Sequence, residues 1–352
     1  MNTATHNPMR GIPFSQLAQC LAAARGDLVA AVALAQGKGL KKIALAIKES
    51  MTGISTEDGA PLLPEIGFDF SELLRPKTII GRMTGMRRVP VNVKMLSQSA
   101  GTTANWRGEG QPKPVTMAGF TVDTLPPATV ASIAVITEEL AKSSAPSAVS
   151  VISRDMVRAG AQAMDVAFID PANAGIPDVM PASVTYGAPS FVSSGATIDN
   201  LRNDISLCVN SILESGSTLE FVVVIMHPRT AQALATWGND APAFPGISIK
   251  GGFLFGMPVI TSGNVPISAA SGSPSSIVLL DASGIALADD GNSELSVTTQ
   301  ASLLMDSAPE TGGQAEQVSL WQNNLVGLRV ERMVNWRRRH PNVVASLTGV
   351  TL

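Results

Sequence analysis

The sequence is short of charge: Asp, Glu, Lys and Arg make up 15% of its 352 residues, where soluble domains carry roughly 25%. The formal net charge is −3. Sequence-independent attraction of the whole chain to nucleic acid is therefore not expected, and any contact with DNA must come from local patches. Cysteine is scarce as well. Cys20 and Cys208 lie on separate helix-like segments and read as buried thiols of a reducing cytoplasm, not as a disulfide framework. The three histidines, His6, His227 and His340, are far apart in sequence, a poor supply for a zinc site or a Ser-His-Asp triad. No apolar run reaches the roughly 18 residues that a membrane helix needs. The first ten residues are polar, no signal-peptide pattern follows, and no Asn-x-Ser/Thr sequon occurs. The expected setting is cytoplasmic, with no membrane partner.

Catalytic signatures are missing too. The chain has no GxxxxGK[ST], since Gln36-Gly37-Lys38-Gly39 lacks the spacing, and no GxGxxG after a strand, GxSxG or HExxH. Asp289-Asp290-Gly291-Asn292 lacks the alternating ligands and terminal Glu of a calcium loop and reads as a hairpin turn. His227, at the corner Met226-His227-Pro228-Arg229, reads as a helix cap or packing residue. Glu138 and Glu139 read as solvated or capping. No cofactor, metal or catalytic residue is expected, and the chain reads as a non-enzyme.

What the chain does have is apolar surface in excess. Its mean hydropathy is positive, yet nothing in it spans a membrane. Burial against partner subunits resolves this, because obligate interfaces resemble a domain core cut in half. The segment 89–125 points the same way. Val89, Val91, Val93 and Met95 alternate with other residues at the period of a strand, and a return arm follows through Phe120 and Val122. Between them, 97–113 is polar apart from Trp106 and ends Arg107-Gly108-Glu109-Gly110-Gln111-Pro112-Lys113. A loop this long has no use inside a compact domain; it makes sense lying on another copy of the chain.

Elsewhere the periodicities predict a helix over 14–35, a shorter one over 41–50, and a linker over 53–64. A short helix is expected around 138–140 and a long one over 146–168, with Pro146 near its first position. The Gly/Pro/Ser-rich passage 172–196 reads as a boundary. Beyond it come a helix capped by Thr197 and ended by Gly216, a strand at 221–226, a helix at 229–237, and strands at 253–260, 276–280 and 294–304. A final long strand lies within 318–347. On it Val326, Leu328, Val330, Arg332, Val334 and Trp336 share one face. The alternation suggests an α+β fold with a central sheet. Arg329, Arg332, Arg337, Arg338 and Arg339 form a basic cluster for a neighbour's carboxylates or for DNA phosphates; charge on an edge strand that keeps it soluble is the plainer alternative.

Four segments, taken in order, carry a resemblance. They are Asn105-Trp106-Arg107-Gly108-Glu109-Gly110 in the hairpin, the helix after Ile136-Thr137-Glu138-Glu139-Leu140, the corner Val224-Ile225-Met226-His227-Pro228-Arg229 with Gly256-Met257-Pro258-Val259, and the ending Gln322-Asn323-Asn324-Leu325-Val326-Gly327-Leu328-Arg329-Val330-Glu331-Arg332. From about Phe14 onward the sequence resembles major capsid proteins of tailed bacteriophages with the Hong Kong 97-like fold.

That resemblance implies an N-terminal arm (1–80), then an extended loop (about 89–125) and a peripheral domain with a spine helix (about 146–168) within 81–196. It also implies an axial domain (197–317) and a return to the peripheral domain (318–352). It further implies a subunit that self-assembles as hexamers and pentamers into an icosahedral head around double-stranded DNA. Portal, scaffolding and decoration proteins would be its partners, and the virion its location after assembly in the host cytoplasm. Trp106, Arg107, Glu109 and Lys113 would form the loop tip that grips a neighbour. Some relatives carry a scaffolding segment ahead of the arm; with Met1 so near the arm here, separate scaffolding or a processed segment outside this chain is expected. A few relatives join a loop Lys to an Asn on a neighbour with the help of a Glu. Lys113 and Asn323 stand at the corresponding places, but Glu331 is one residue out of step, and no crosslink is expected. An encapsulin-like compartment shell is the nearest alternative, and a soluble hydrolase with a site assembled only in space a more distant one.

Overall fold

The computed structural model describes residues 14–52, 74, 77–100, 106, 119–142, 146–214, 216–217, 219–238, 243–267, 275–306, 315–340 and 342–350. The helices, in chain order, are α1 (Phe14–Ala23), α2 (Leu28–Gly37), α3 (Lys41–Thr52), α4 (Ile79–Arg82), α5 (Glu138–Lys142), α6 (Pro146–Ile169), α7 (Ile198–Glu214) and α8 (Pro228–Thr236). The strands begin with β1 (Arg87–Val89), β2 (Lys94–Ala100), β3 (Gly119–Thr124), β4 (Thr129–Thr137) and β5 (Ser190–Val192). They continue with β6 (Val222–Met226), β7 (Ile247–Ser248), β8 (Gly251–Leu254), β9 (Met257–Thr261) and β10 (Ser275–Asp281). The last are β11 (Ile285–Thr298), β12 (Ser302–Asp306), β13 (Ala315–Ser319), β14 (Leu325–Arg338) and β15 (Val344–Val350). The chain divides into two compact units. One comprises Met1–Gly81, Thr129–Ala163 and Gly291–Met333; the other comprises Arg82–Ala128, Met164–Asp290 and Val334–Leu352.

In the first unit, α1, α2 and α3 bury Leu17, Cys20, Ala31, Ala35, Ile43 and Ile47 in a common core, with Leu295 of β11 packed on it. The single helix expected over 14–35 is two helices. Arg25 and Gly26 take positive φ, and the Asp27 carboxylate caps α2 by accepting from Val29 N at 2.9 Å. A Cβ on Gly26 would stand 2.9 Å from the Val297 carbonyl, so glycine is needed both for its dihedral and for that close approach. Antiparallel β4 and β14 pair from Thr137↔Leu325 to Thr129↔Met333, and β12 pairs with β13.

The second unit is built on a mixed seven-stranded sheet in the order β5-β15-β10-β6-β9-β8-β7. Its centre is apolar on both faces: all five residues of β6 are buried, as expected of a strand covered on both sides. Leu201, Ile205, Cys208 and Ile212 of α7 and Ala231 and Leu234 of α8 pack on Val224, Met226, Ile277, Leu279, Ala345 and Leu347. Burying each large aliphatic side chain contributes about 1.5–3 kcal/mol. The hairpin arms β2 and β3 pair from Lys94↔Thr124 to Ala100↔Gly119.

Three other sequence expectations shift. The first hairpin arm is interrupted: β1 ends at Val89, Asn92 takes φ 61°, and β2 starts at Lys94. The strand expected over 253–260 is two, folded back at Phe255 and Gly256, both at positive φ. The hairpin turn assigned to Asp289-Asp290-Gly291-Asn292 is wrong, because β11 runs unbroken through those residues. Parallel pairing of Ala286, Leu287 and Ala288 with β1 holds its first part extended, and pairing outweighs local turn preference. In β14, Val326, Leu328, Val330, Val334 and Trp336 are buried as the alternation predicts, although the strand itself starts at Leu325.

Candidate functional site

The residues singled out from sequence fall in different surroundings. Trp106 is fully exposed; Arg107, Glu109 and Lys113 lie outside the described residues. Asn323 is exposed, and its Nδ2 donates to the Ser319 carbonyl at 2.9 Å. Arg329 faces solvent, with its Nε 3.4 Å from Glu331 Oε1, while Arg332 is half-buried.

Arg337, Arg338 and Arg339 come together in the second unit. With His340 they line a cavity of about 560 Å³ whose opposite wall is the loop 174–186. The local fold explains this. Trp336 is buried, its Nε1 donating to the Ala182 carbonyl at 2.9 Å, and this anchors the end of β14 against the loop. Arg338 Nη2 donates to the Tyr186 carbonyl at 2.6 Å, and Arg339 N to the Gly284 carbonyl at 2.8 Å. Burial pushes the guanidinium pKa of Arg338 below its ordinary value. Arg339 is pushed the same way by burial and by the like charge of Arg87.

Two polar constellations escaped the sequence reading. In the first unit, Glu138 receives Lys142 Nζ at 2.5 Å, one helical turn on, and Arg25 Nε at 2.6 Å. Its backbone N donates to the Asn324 carbonyl at 2.9 Å. The pair Lys142 and Arg25 holds this carboxyl below the usual range. In the second unit, Asp165 is fully buried and accepts from Ser262 Oγ at 2.9 Å and Asn264 Nδ2 at 3.1 Å. Arg82 Nη1 donates to the neighbouring Thr261 carbonyl at 2.8 Å, and the charge of Asp165 opposes the burial-driven fall of the Arg82 pKa. No sequence spacing links residues 82, 165 and 262.

His227 is a helix cap, as read: its Nδ1 accepts from Arg229 N at 3.1 Å. Among the described residues no group of three or more His, Cys, Asp or Glu could hold a metal ion, and no helix is long and apolar enough to cross a membrane. The chemistry these surfaces offer is pairing of charge and covering of apolar area.

Residues 59–348 match the family model described as "Phage capsid family". The chain is 40% identical over 362 residues to the "Capsid polyprotein" of Pseudomonas phage PAJU2, a match covering 97% of this chain and 54% of that protein. It therefore spans about half the length of that relative. Among solved structures, a chain of Gordonia phage Cozz superposes with a TM-score of 0.55 at 18% identity, covering 76% of this chain and 85% of that one. A chain titled "Capsid of native GTA particle computed with C5 symmetry" does so with a TM-score of 0.51 at 14% identity, covering 80% and 91%. The fold is thus the Hong Kong 97-like one expected from sequence. The chain belongs to the phage capsid family.

Proposed function

We propose that the chain is a major capsid subunit that assembles as hexamers and pentamers into an icosahedral phage head around double-stranded DNA. The observation that carries this is the family match over 59–348, joined to 40% identity with a capsid polyprotein across 97% of this chain. The role is mechanical, and no catalytic step is assigned. Each subunit's stability becomes inseparable from its neighbours, and a closed shell leaves no heterologous contact open.

In this reading 1–80 is the arm, 89–125 the extended loop, 146–168 the spine, 197–317 the axial domain and 318–352 the return. Trp106, with Arg107, Glu109 and Lys113, grips an adjacent subunit. The full exposure of Trp106 in a single chain supports this, since an aromatic at an interface core is worth burying. Portal, scaffolding and decoration proteins are the partners, and the virion the destination after assembly in the host cytoplasm. The Lys113–Asn323 bond is not part of the proposal: the Asn323 amide is already engaged with Ser319.

Electron microscopy of the expressed protein tests the reading. Closed particles, or capsomers with sixfold and fivefold symmetry, are expected. A small soluble oligomer would refute it, and particles that enclose protein cargo in place of nuclease-resistant DNA would favour an encapsulin-like shell.

A further inference from the structure

The first unit carries a basic patch in an acidic chain. Residues 14–52 hold Arg25, Lys38, Lys41, Lys42 and Lys48 against Asp27 and Glu49, while the formal net charge of the whole chain is −3. Arg25 is paired with Glu138, and Lys42 has an interaction of its own. Lys38, Lys41 and Lys48 are exposed, and among the described residues no carboxylate forms an ion pair with any of them. Local structure keeps the three together. Ile43, Ala44 and Ile47 turn one face of α3 into the core shared with α1 and α2, so Lys41 and Lys48, two helical turns apart, stand outward on the other. Lys38 closes α2, its backbone N donating to the Leu34 carbonyl at 3.0 Å, just ahead of α3. A Cβ on Gly37 or Gly39 would meet no atom within 4 Å, so the turn between the helices stands clear of its own chain. Lys41 lies in the first turn of α3, which has no acidic residue. A cation there opposes the helix dipole, so stability alone does not account for its place.

The composition of the patch selects its partner. Lysine is depleted in protein interfaces, and the large apolar side chain between Lys41 and Lys48 is Leu45, 46% exposed, a small anchor for a protein. A membrane would need the apolar face of α3, which is already buried. A strand of phosphates fits, because lysine meets phosphate as a point charge and its flexible stem needs no fixed register. Lys41 and Lys48 lie about 10 Å apart along α3, and duplex DNA presents one charge per ~1.7 Å of its axis, so several phosphates fall within that span. We propose that Lys38, Lys41 and Lys48 form a contact surface for the phosphate backbone of double-stranded DNA, without recognition of sequence. That this DNA is the packaged genome rests on the shell-forming reading above.

Fluorescence anisotropy of a labelled random-sequence duplex, titrated with the unassembled full chain at several salt concentrations, tests it. Contacts to three phosphates give a slope of log K against log salt of about −2.7, a loss of about 40-fold between about 50 and 200 mM salt. The variant Lys38→Gln with Lys41→Gln and Lys48→Gln should bind at least about tenfold more weakly at about 50 mM, and lose less than about fourfold over the same range. A charge-matched control, Arg154→Gln with Arg158→Gln and Arg202→Gln, alters exposed cations elsewhere and should bind as the parent does. No binding by the parent at low salt, or equal binding by parent and lysine variant, would overturn the inference. So would equal losses in lysine variant and control, which would make the effect one of net charge. A lysine variant that keeps its duplex affinity and no longer forms particles would overturn it too, and make the patch a protein contact. If circular dichroism shows that the triple variant fails to fold, Lys48→Gln alone decides, by lowering the slope by about 0.9 or leaving it unchanged. Failure of the parent to form particles would refute the shell reading alone, since the duplex titration needs none.

Discussion

Trp336 meets Phe168 edge to face, with ring centroids 5.3 Å apart and planes at 74°. Both rings are buried, and the indole spends its one donor on the Ala182 carbonyl. Beside it, Asn335 Nδ2 donates to the Pro126 carbonyl at 2.6 Å. One aromatic pair thus joins the C-terminal end of α6 to the end of β14 and fixes the strand against the loop 174–186. Arg337, exposed, and Arg338 and Arg339, half-buried, line the cavity wall because their neighbour is locked inward.

Replacing Trp336 by Phe keeps the edge-to-face contact and leaves the Ala182 carbonyl without its donor. A loss of about 1–3 kcal/mol is expected for one buried acceptor left unpaired. Trp336→Ala removes the ring as well and should cost about 3–5 kcal/mol. Urea unfolding of the unassembled subunit, followed by circular dichroism, measures both. Equal losses in the two variants would show that the ring itself contributes nothing.

Much of the fold was legible in the sequence. The apolar run of β6, Pro228 opening α8, Thr197 before α7 and the alternation of β14 are local signals, and each element formed where its signal stood. The failures have physical causes. At Asp289–Asn292 a turn-forming tetrapeptide continues a strand whose preceding residues, Ala286–Ala288, are paired with β1, a contact nearly 200 residues distant in sequence. At Arg25–Asp27 the break was written locally, as Gly followed by a capping Asp, but the apolar stripe on either side hid it. The candidate site divides the same way. The Arg337–Arg339 tract was visible as charge; that it lines a cavity depends on a loop some 150 residues earlier, which no spacing encodes.

Glu138 sits between Lys142 and Arg25, and this lowers its pKa from an ordinary 4.5. A carboxyl whose pKa is depressed by folding stabilises the fold above its unfolded value, and that contribution is lost as pH falls through the folded value. Glu138→Gln should therefore be less stable than the parent at neutral pH, and the gap should close as pH drops below about 4.5. Both cations are more than half exposed, so added salt should narrow the gap as well. Thermal melts at pH 7 and pH 3, with and without salt, check this; a gap independent of pH would mean the carboxylate charge is not the cause.

Asp165 is a buried charge whose acceptors are taken up by Ser262 and Asn264, with Arg82 nearby. Asp165→Ala should cost more than Ser262→Ala, about 1–3 kcal/mol for each donor left unpaired, because Ser262 Oγ and Asn264 Nδ2 both lose their acceptor and Arg82 loses a nearby anion. Ser262→Ala removes one neutral donor and should cost about 1 kcal/mol. The ratio between the two separates a charge role from simple hydrogen bonding, and comparable losses in chemical denaturation would refute the former.

Trp106 offers the sharpest test of the extended hairpin. A tryptophan fully exposed on the single chain contributes nothing to that chain's own core, so Trp106→Ala should leave its stability within about 0.5 kcal/mol. If the ring is buried by a neighbouring subunit, the same change removes an interface anchor worth about 2 kcal/mol or more per contact. Each copy in a shell makes that contact once, so the loss is repeated at every interface. Coupled with Arg107→Glu, the substitution should leave the circular dichroism and unfolding midpoint of the unassembled subunit unchanged and abolish particles in sedimentation and electron microscopy. Normal particles from the double variant would refute the gripping role of the loop tip, whereas an equal loss of subunit stability would place Trp106 in the fold of its own chain.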